Sequence, residues 1–300
     1  MASSDTAMPA TAPTSENDIC TRLERGEVVY FPSCPFPLPE GDERRFLLEQ
    51  RLGSRAHKNI SYIPQTGRAG GFYRTSAEQC ERLRRLFCDF SATTTGWLGE
   101  TLPRYAALWR LDQVSFRPVE EATRRLRLKS RNDLLHVDAF PRRPTQGWRI
   151  LRVFANVNPS EPRIWATSDP FAKLLERYGR KVGLPTRQMN WTTTLSHGVL
   201  GIFQKSLRQR SVYDQFMLRF HDFLKTNEEF QDRCPKRIWK FPPGSAWMCM
   251  TDTTSHAALR GRYALEHSYF ISAQSLLLPE ESPPALLARA CGMAVLRRAA

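Results

Sequence analysis

Leu134-Leu135-His136-Val137-Asp138-Ala139-Phe140-Pro141 is the stretch from which the rest of the chain is best read. In an extended backbone, side chains two residues apart point to the same face. His136 and Asp138 therefore present an imidazole and a carboxylate side by side, a two-point claw for a divalent metal. Iron(II) oxygenases complete such a claw with one more histidine and keep positions open for a cosubstrate and O₂. With a third ligand the chain is an oxygenase. Without one, the segment is an ordinary strand.

Working outward, the pattern around the claw is mainly β. Strands are predicted at Val28–Phe31, Gln113–Arg117, Leu134–Val137, Arg149–Val157, Thr192–Ser196, Ala246–Met250 and Tyr263–Ile271. Short strands separated by Pro/Gly turns predict a sandwich or jelly roll with helical additions. A helix is expected from Thr75, where Thr75 and Glu78 have capping-box spacing; its apolar face carries Cys80, Leu83, Leu86, Phe87 and Phe90. A second begins near Ser211, with Tyr213, Phe216, Met217, Phe220, Phe223 and Leu224 at helical spacing. Phe171–Tyr178 reads as a further helix. The chain divides into a polar leader expected to be disordered (1–18), a jelly-roll domain with helical additions (19–278) and a terminal amphipathic helix (279–300). In that helix Ser282 caps, Pro283 sits at N1, and Leu286, Leu287, Ala290 and Ala294 form a stripe, set either on the core or on a membrane surface.

Composition narrows the class. The seven cysteines are scattered, odd in number and without CxxC spacing, which argues against a disulfide framework or a structural zinc site and for a reducing compartment. No apolar run reaches the roughly 18–20 residues that span a bilayer, and the leader lacks the basic start and apolar stretch of a secretory signal. A cytoplasmic location is expected. The formal net charge of +14 calls for an anionic partner: nucleic acid, an acidic membrane surface or an anionic substrate. Phe116 and Trp148 are too few as stacking platforms to favour nucleic acid.

Six histidines could supply the third ligand: His57, His136, His197, His221, His256 and His267. His221 falls inside the Ser211 helix and reads as structural. His267 lies on the last strand among Tyr263, Leu265, Tyr269 and Ile271, which suggests packing. His256 is favoured, because it follows the apolar run Ala246–Met250 at a loop-strand junction, where a side chain reaches a barrel mouth.

Past the claw, the run His136-Val137-Asp138-Ala139-Phe140-Pro141, then Arg143-Pro144-Thr145-Gln146-Gly147-Trp148-Arg149-Ile150-Leu151-Arg152-Val153-Phe154, resembles the bacterial Kdo (3-deoxy-D-manno-oct-2-ulosonic acid) hydroxylase family. The likeness continues through Asn156-Val157-Asn158-Pro159, Pro162-Arg163-Ile164-Trp165, Phe241-Pro242-Pro243-Gly244-Ser245-Ala246-Trp247 and Ser255-His256-Ala257. Tyr62, Gly67, Ser115-Phe116-Arg117-Pro118 and Tyr263-Ala264-Leu265-Glu266 belong to it as well, so that it spans roughly residues 26–278. The resemblance implies a cupin-like double-stranded β-helix that uses iron(II), 2-oxoglutarate and O₂ to hydroxylate Kdo at C3 on a lipid A precursor, giving Ko in the lipopolysaccharide inner core. It places the family's iron ligands on His136, Asp138 and His256.

The far carboxylate of 2-oxoglutarate needs a cation. Many such oxygenases draw it from the last strand about ten residues past the distal histidine, but that position here is Glu266, so another strand must supply it. Arg149 and Arg152 fall on opposite faces of one strand. Arg152, between Ile150 and Phe154, would be costly to bury unpaired, and a carboxylate ligand would satisfy it. It is the first candidate, with Arg117 second. Arg117 to Arg152 holds ten Lys/Arg against four Asp/Glu. Of these, Arg124, Arg125, Arg127, Lys129, Arg131, Arg142 and Arg143 are placed to gather an anionic head group and hold the protein peripherally at the inner face of the inner membrane. Two other readings stay open: the same iron chemistry on another anionic substrate, and a cupin-like binding protein without turnover.

Overall fold

The computed structural model describes residues 15–54, 57–74, 76–185 and 210–293. The expected strand Thr192–Ser196, His197, Thr75 and Ala294 of the expected terminal stripe lie outside them.

Ten strands are described: β1 (Val29–Phe31), β2 (Ile60–Ile63), β3 (Arg68–Gly70), β4 (Arg110–Arg117), β5 (Arg149–Asn156), β6 (Arg163–Thr167), β7 (Arg237–Phe241), β8 (Ala246–Met250), β9 (His256–Arg260) and β10 (Ala264–Ile271). They form two antiparallel sheets, β1-β8-β5-β10-β4-β2-β3 and β7-β6-β9. The two sheets make the jelly roll the pattern predicts. β5 shows how: all eight of its residues are buried, because both faces are covered. Leu151, Val153 and Ala155 turn outward into an apolar layer, while Phe154 turns inward to the small sheet.

Aromatic rings hold the sheets together. Trp247 of β8 stacks on Phe241 of β7 at 3.9 Å between centroids, and Trp165 of β6 meets Phe154 edge-on at 4.8 Å. Such pairs add about 0.5–1.5 kcal/mol each beyond area burial.

Helices cover the outer faces: α1 (Glu16–Glu24), α2 (Gly41–Glu49), α3 (Ala77–Thr101), α4 (Pro103–Ala106), α5 (Phe171–Val182), α6 (Val212–Thr226), α7 (Glu228–Arg233) and α8 (Pro283–Ala290). α3 lays Leu83, Leu86, Phe87 and Phe90 on the large sheet; α5 and α6 cover the small one.

Three expectations are corrected. Ser76 caps α3, accepting from Gln79 N. Residues 15–18, read as the end of the leader, already belong to a capped helix, with Ser15 accepting from Asp18 N. Leu134–Val137 is not a strand; only His136 makes a bridge, to His256. The terminal helix begins at Pro283 as expected and ends at Ala290.

A capping box at the start of α6 also shapes the entry to β5. Asp214 reciprocates the Ser211 cap, and its carboxylate accepts from Thr145 N (2.7 Å), Thr145 Oγ1 (3.2 Å) and Gln146 N. It thereby holds a turn in which Gln146 adopts φ 55°, a conformation uncommon for a residue with a side chain. Asp214→Ala removes half of the capping box and takes away the acceptor of the buried Thr145 N–H, so it is expected to destabilise by about 2–3 kcal/mol. Chemical denaturation measures it; a loss under about 0.5 kcal/mol would show that the carboxylate is dispensable.

Candidate active site

His136 and His256 face each other across a single antiparallel bridge, each N–H donating to the other's carbonyl at 3.1 and 2.9 Å. Residues directly opposite in such a pair share a face, which puts the imidazole centroids 4.7 Å apart. Asp138 follows two residues on, on the same face, its own N–H held by Thr251 O at 2.7 Å. The i, i+2 geometry therefore stands, although a loop pinned by a few backbone bonds supplies it. One ligand atom from each of the three residues lies within 4.8 Å of the others, and all three residues are buried.

The rings are preset. His136 Nδ1 lies 2.7 Å from Leu134 O and His256 Nδ1 lies 2.9 Å from Thr254 O. A carbonyl only accepts, so Nδ1 carries the proton and Nε2 keeps its lone pair for a metal. Burial, with the nearby Lys225 charge, depresses His136 well below the usual imidazole range, and burial lowers His256. Both rings are thus neutral ligands. Burial opposes the charge on Asp138, yet the neighbouring Arg152 guanidinium leads the interactions that outweigh it and hold the carboxyl well below its usual range. Two neutral imidazoles and one carboxylate fit iron(II).

Behind the cluster lies a buried lattice of charges. Arg117 is fully engaged with Glu266 (Nε–Oε2 3.0 Å, Nη2–Oε1 3.2 Å) and lies 3.7 Å from Glu121. Arg152 reaches Asp138 at 3.3 Å and Glu266 at 3.6 Å. Arg163 donates to Gly261 O at 2.8 Å and pairs with Glu121 at 3.3 Å. Gly261, at φ 108°, is required there, since a Cβ would meet the Arg163 Cα at 3.0 Å. Arg163 Nε has no hydrogen-bond acceptor among the described residues, and Arg152 Nε lies 3.3 Å from Asp138 Oδ2 without the alignment of a hydrogen bond. Both arginines line the cavity, where a carboxylate ligand would supply acceptors.

These groups line one cavity of about 430 Å³. His136, Asp138, His256, Arg117 and Arg152 all reach it, so the structure gathers every site residue picked out in the sequence. It adds others. Arg163 and Trp165 enter together from β6, with Trp165 stacked on His256 at 5.3 Å. The signal was present as an arginine and a tryptophan on one face of Arg163-Ile164-Trp165. His221, read as structural, lies on α6 as expected and stands edge-on to His136 at 5.1 Å on the cavity wall, and burial pushes it down to about 4. His267 is packing, as expected, bonded to Tyr269. Of the basic run, Arg124 binds backbone carbonyls, while Lys129, Arg131 and Arg143 pair with Asp222, Asp133 and Asp112.

A family model described as 3-deoxy-D-manno-oct-2-ulosonic acid (Kdo) hydroxylase matches residues 6–294. Among solved structures, the chain is similar to the Kdo hydroxylase KdoO, a non-heme Fe(II) alphaketoglutarate dependent dioxygenase, in complex with alphaketoglutarate and Fe(III). That match has 31% identity and a TM-score of 0.80 over 93% of this chain and 91% of the other. The apo form of that hydroxylase matches at 32% identity and TM-score 0.81, over 95% and 93% of the two chains. Its cobalt(II) complex matches at 30% and 0.81, over 97% and 96%. No curated protein matches the chain in sequence.

Proposed function

This chain belongs to the Kdo hydroxylase family, and we propose that it hydroxylates C3 of Kdo carried on a lipid A precursor, giving Ko in the lipopolysaccharide inner core. His136, Asp138 and His256 are the iron ligands in this reading, and Arg152 anchors the far carboxylate of 2-oxoglutarate, with Arg163 and Arg117 beside it. The observation that carries it is the buried His-Asp-His cluster in one cavity with three arginines, Arg117, Arg152 and Arg163.

Iron(II) with 2-oxoglutarate and O₂ supplies the oxidising power that converts C–H to C–OH, with succinate and CO₂ as coproducts. The chain's own groups do the rest. The Leu134 and Thr254 carbonyls fix the two imidazoles, Arg152 keeps Asp138 ionised, and Trp165 with Phe154 walls the cavity against water. Glu266 and Glu121 hold the arginines in place before a ligand arrives, which reduces the reorganisation that binding demands.

Peripheral contact with the inner face of the inner membrane is part of the proposal. No described helix is long and apolar enough to cross a bilayer. Arg125, Arg127 and Arg142 are exposed and form no ion pair with described residues, and Leu128, next to Arg127 in the chain, is 46% exposed. Basic side chains around an apolar one suit an anionic lipid surface.

Arg152→Ala is expected to raise the 2-oxoglutarate requirement about 10- to 100-fold at saturating iron(II), the worth of a lost charged hydrogen bond, and to weaken iron binding as well, because Arg152 also contacts the Asp138 carboxylate. Succinate release titrated against 2-oxoglutarate reads this. An unaltered requirement would move the anchor to Arg163 or Arg117.

A further inference from the structure

Two lysines face the same cavity with no carboxylate of the described residues in ion-pair contact. Lys58 precedes β2, its backbone pinned where Arg124 donates to the Lys58 and His57 carbonyls at 2.8 and 3.0 Å. Its half-buried ammonium forms no hydrogen bond or ion pair with described residues. Lys225 comes from α6, is 2% exposed, and donates to Arg131 O at 2.6 Å and Lys129 O at 3.2 Å. An ammonium has three donors, so a third remains.

The cavity's own acids are committed elsewhere. Asp222 binds Lys129, Glu266 binds Arg117 and Arg152, and Asp138 faces Arg152 and the histidines. Leaving two cations partly desolvated with no anion in contact is unfavourable. The strain registers on both: burial lowers Lys58, and burial together with the charge of Lys58 brings Lys225 down to about 8. An anion entering between them would relieve it.

We propose that the Lys58 and Lys225 ammonium groups form the receptor for the carboxylate of the sugar-acid substrate, and so choose which carbon faces the metal ligands. The inference rests on the Kdo reading and deepens it. In a 3-deoxy-oct-2-ulosonic acid the carboxylate is C1 and the methylene is C3, one carbon further than C2. Clamping C1 therefore fixes C3 on a short radius, with rotation about few bonds left free. The arginine side of the cavity is left to 2-oxoglutarate, so two anionic ligands are sorted to different walls. Neutral sugars leave the lysines unpaired and are rejected, which is specificity through an unmet charge.

The test uses full-length iron-loaded protein and a Kdo lipid stripped of phosphate, so that the carboxylate is the anion read, compared with its Kdo methyl ester. Wild type is expected to favour the acid over the ester about 10- to 100-fold in kcat/KM. Lys58→Met is expected to bring that ratio near one, mainly through KM for the sugar, with little change in KM for 2-oxoglutarate. Lys58→Arg, which keeps the charge, restores most of the preference, and Lys225→Met behaves as Lys58→Met does. Equal turnover of acid and ester by wild type would overturn the receptor, as would a preference that survives in Lys58→Met. A rise in KM for 2-oxoglutarate instead would overturn it by assigning Lys58 to the cosubstrate. Absence of succinate release with every Kdo compound would refute the underlying function, an outcome distinct from equal turnover.

Discussion

His136→Ala is expected to lower affinity for iron(II) by more than about 100-fold and to abolish succinate release. Disturbing a residue that merely orients a metal ligand already costs about 10- to 100-fold, and His136 would itself be the ligand. Its fold should survive. The bonds that place this segment run from backbone to backbone, between His136 and His256 and from Asp138 N to Thr251 O, so truncating the ring leaves them intact. Calorimetric titration with iron(II) or cobalt(II), alongside thermal unfolding, separates the two effects. Retained affinity in a folded variant would remove His136 from the ligand set and with it the facial arrangement.

The second large effect is on stability. Arg149 is fully buried and binds Asp252 at 2.7 Å and Thr253. Burial raises the Asp252 carboxyl, and Arg149 is the charge that opposes the shift. Arg149→Ala strands a buried carboxylate and is expected to destabilise by about 3–5 kcal/mol. The damage should spread to the metal site, because residues 251–255 join Asp138 to His256: Thr251 O holds Asp138 N, and Thr254 O holds the His256 ring. Replacing both partners, as in Arg149→Met with Asp252→Leu, should cost less than Arg149→Ala alone, since no charge is left unpaired. Urea unfolding of the three proteins measures this, and a double variant less stable than the single one would contradict it.

What the sequence conceals here follows from the range of the interactions. The claw was legible because an i, i+2 relation survives in any extended backbone, even one held by a single bridge. Runs such as Ala246–Met250 and the face of α6 were legible because periodicity is local. Glu266 could be seen to break the usual arginine position, but its pairing with Arg117, 149 residues earlier in the chain, depends on β4 and β10 lying side by side. His221 was hidden by the helix that carries it: an amphipathic pattern says which face is buried, and here that face borders a cavity. β7 alternates as Arg237-Ile238-Trp239-Lys240-Phe241 yet is short enough to pass as loop. α1 and α2 are polar; α1 owes its helix to the Ser15 cap, and both owe theirs to packing of a few apolar side chains in the core layer.

Incubating the protein with iron(II), ascorbate, 2-oxoglutarate and a Kdo-bearing lipid A precursor, then weighing the sugar by mass spectrometry, reads the reaction itself. The expected result is a gain of one oxygen atom at C3 of Kdo, matched by succinate and absent with His136→Ala. Kdo of unchanged mass, from wild-type protein shown to hold both iron and 2-oxoglutarate, would contradict it.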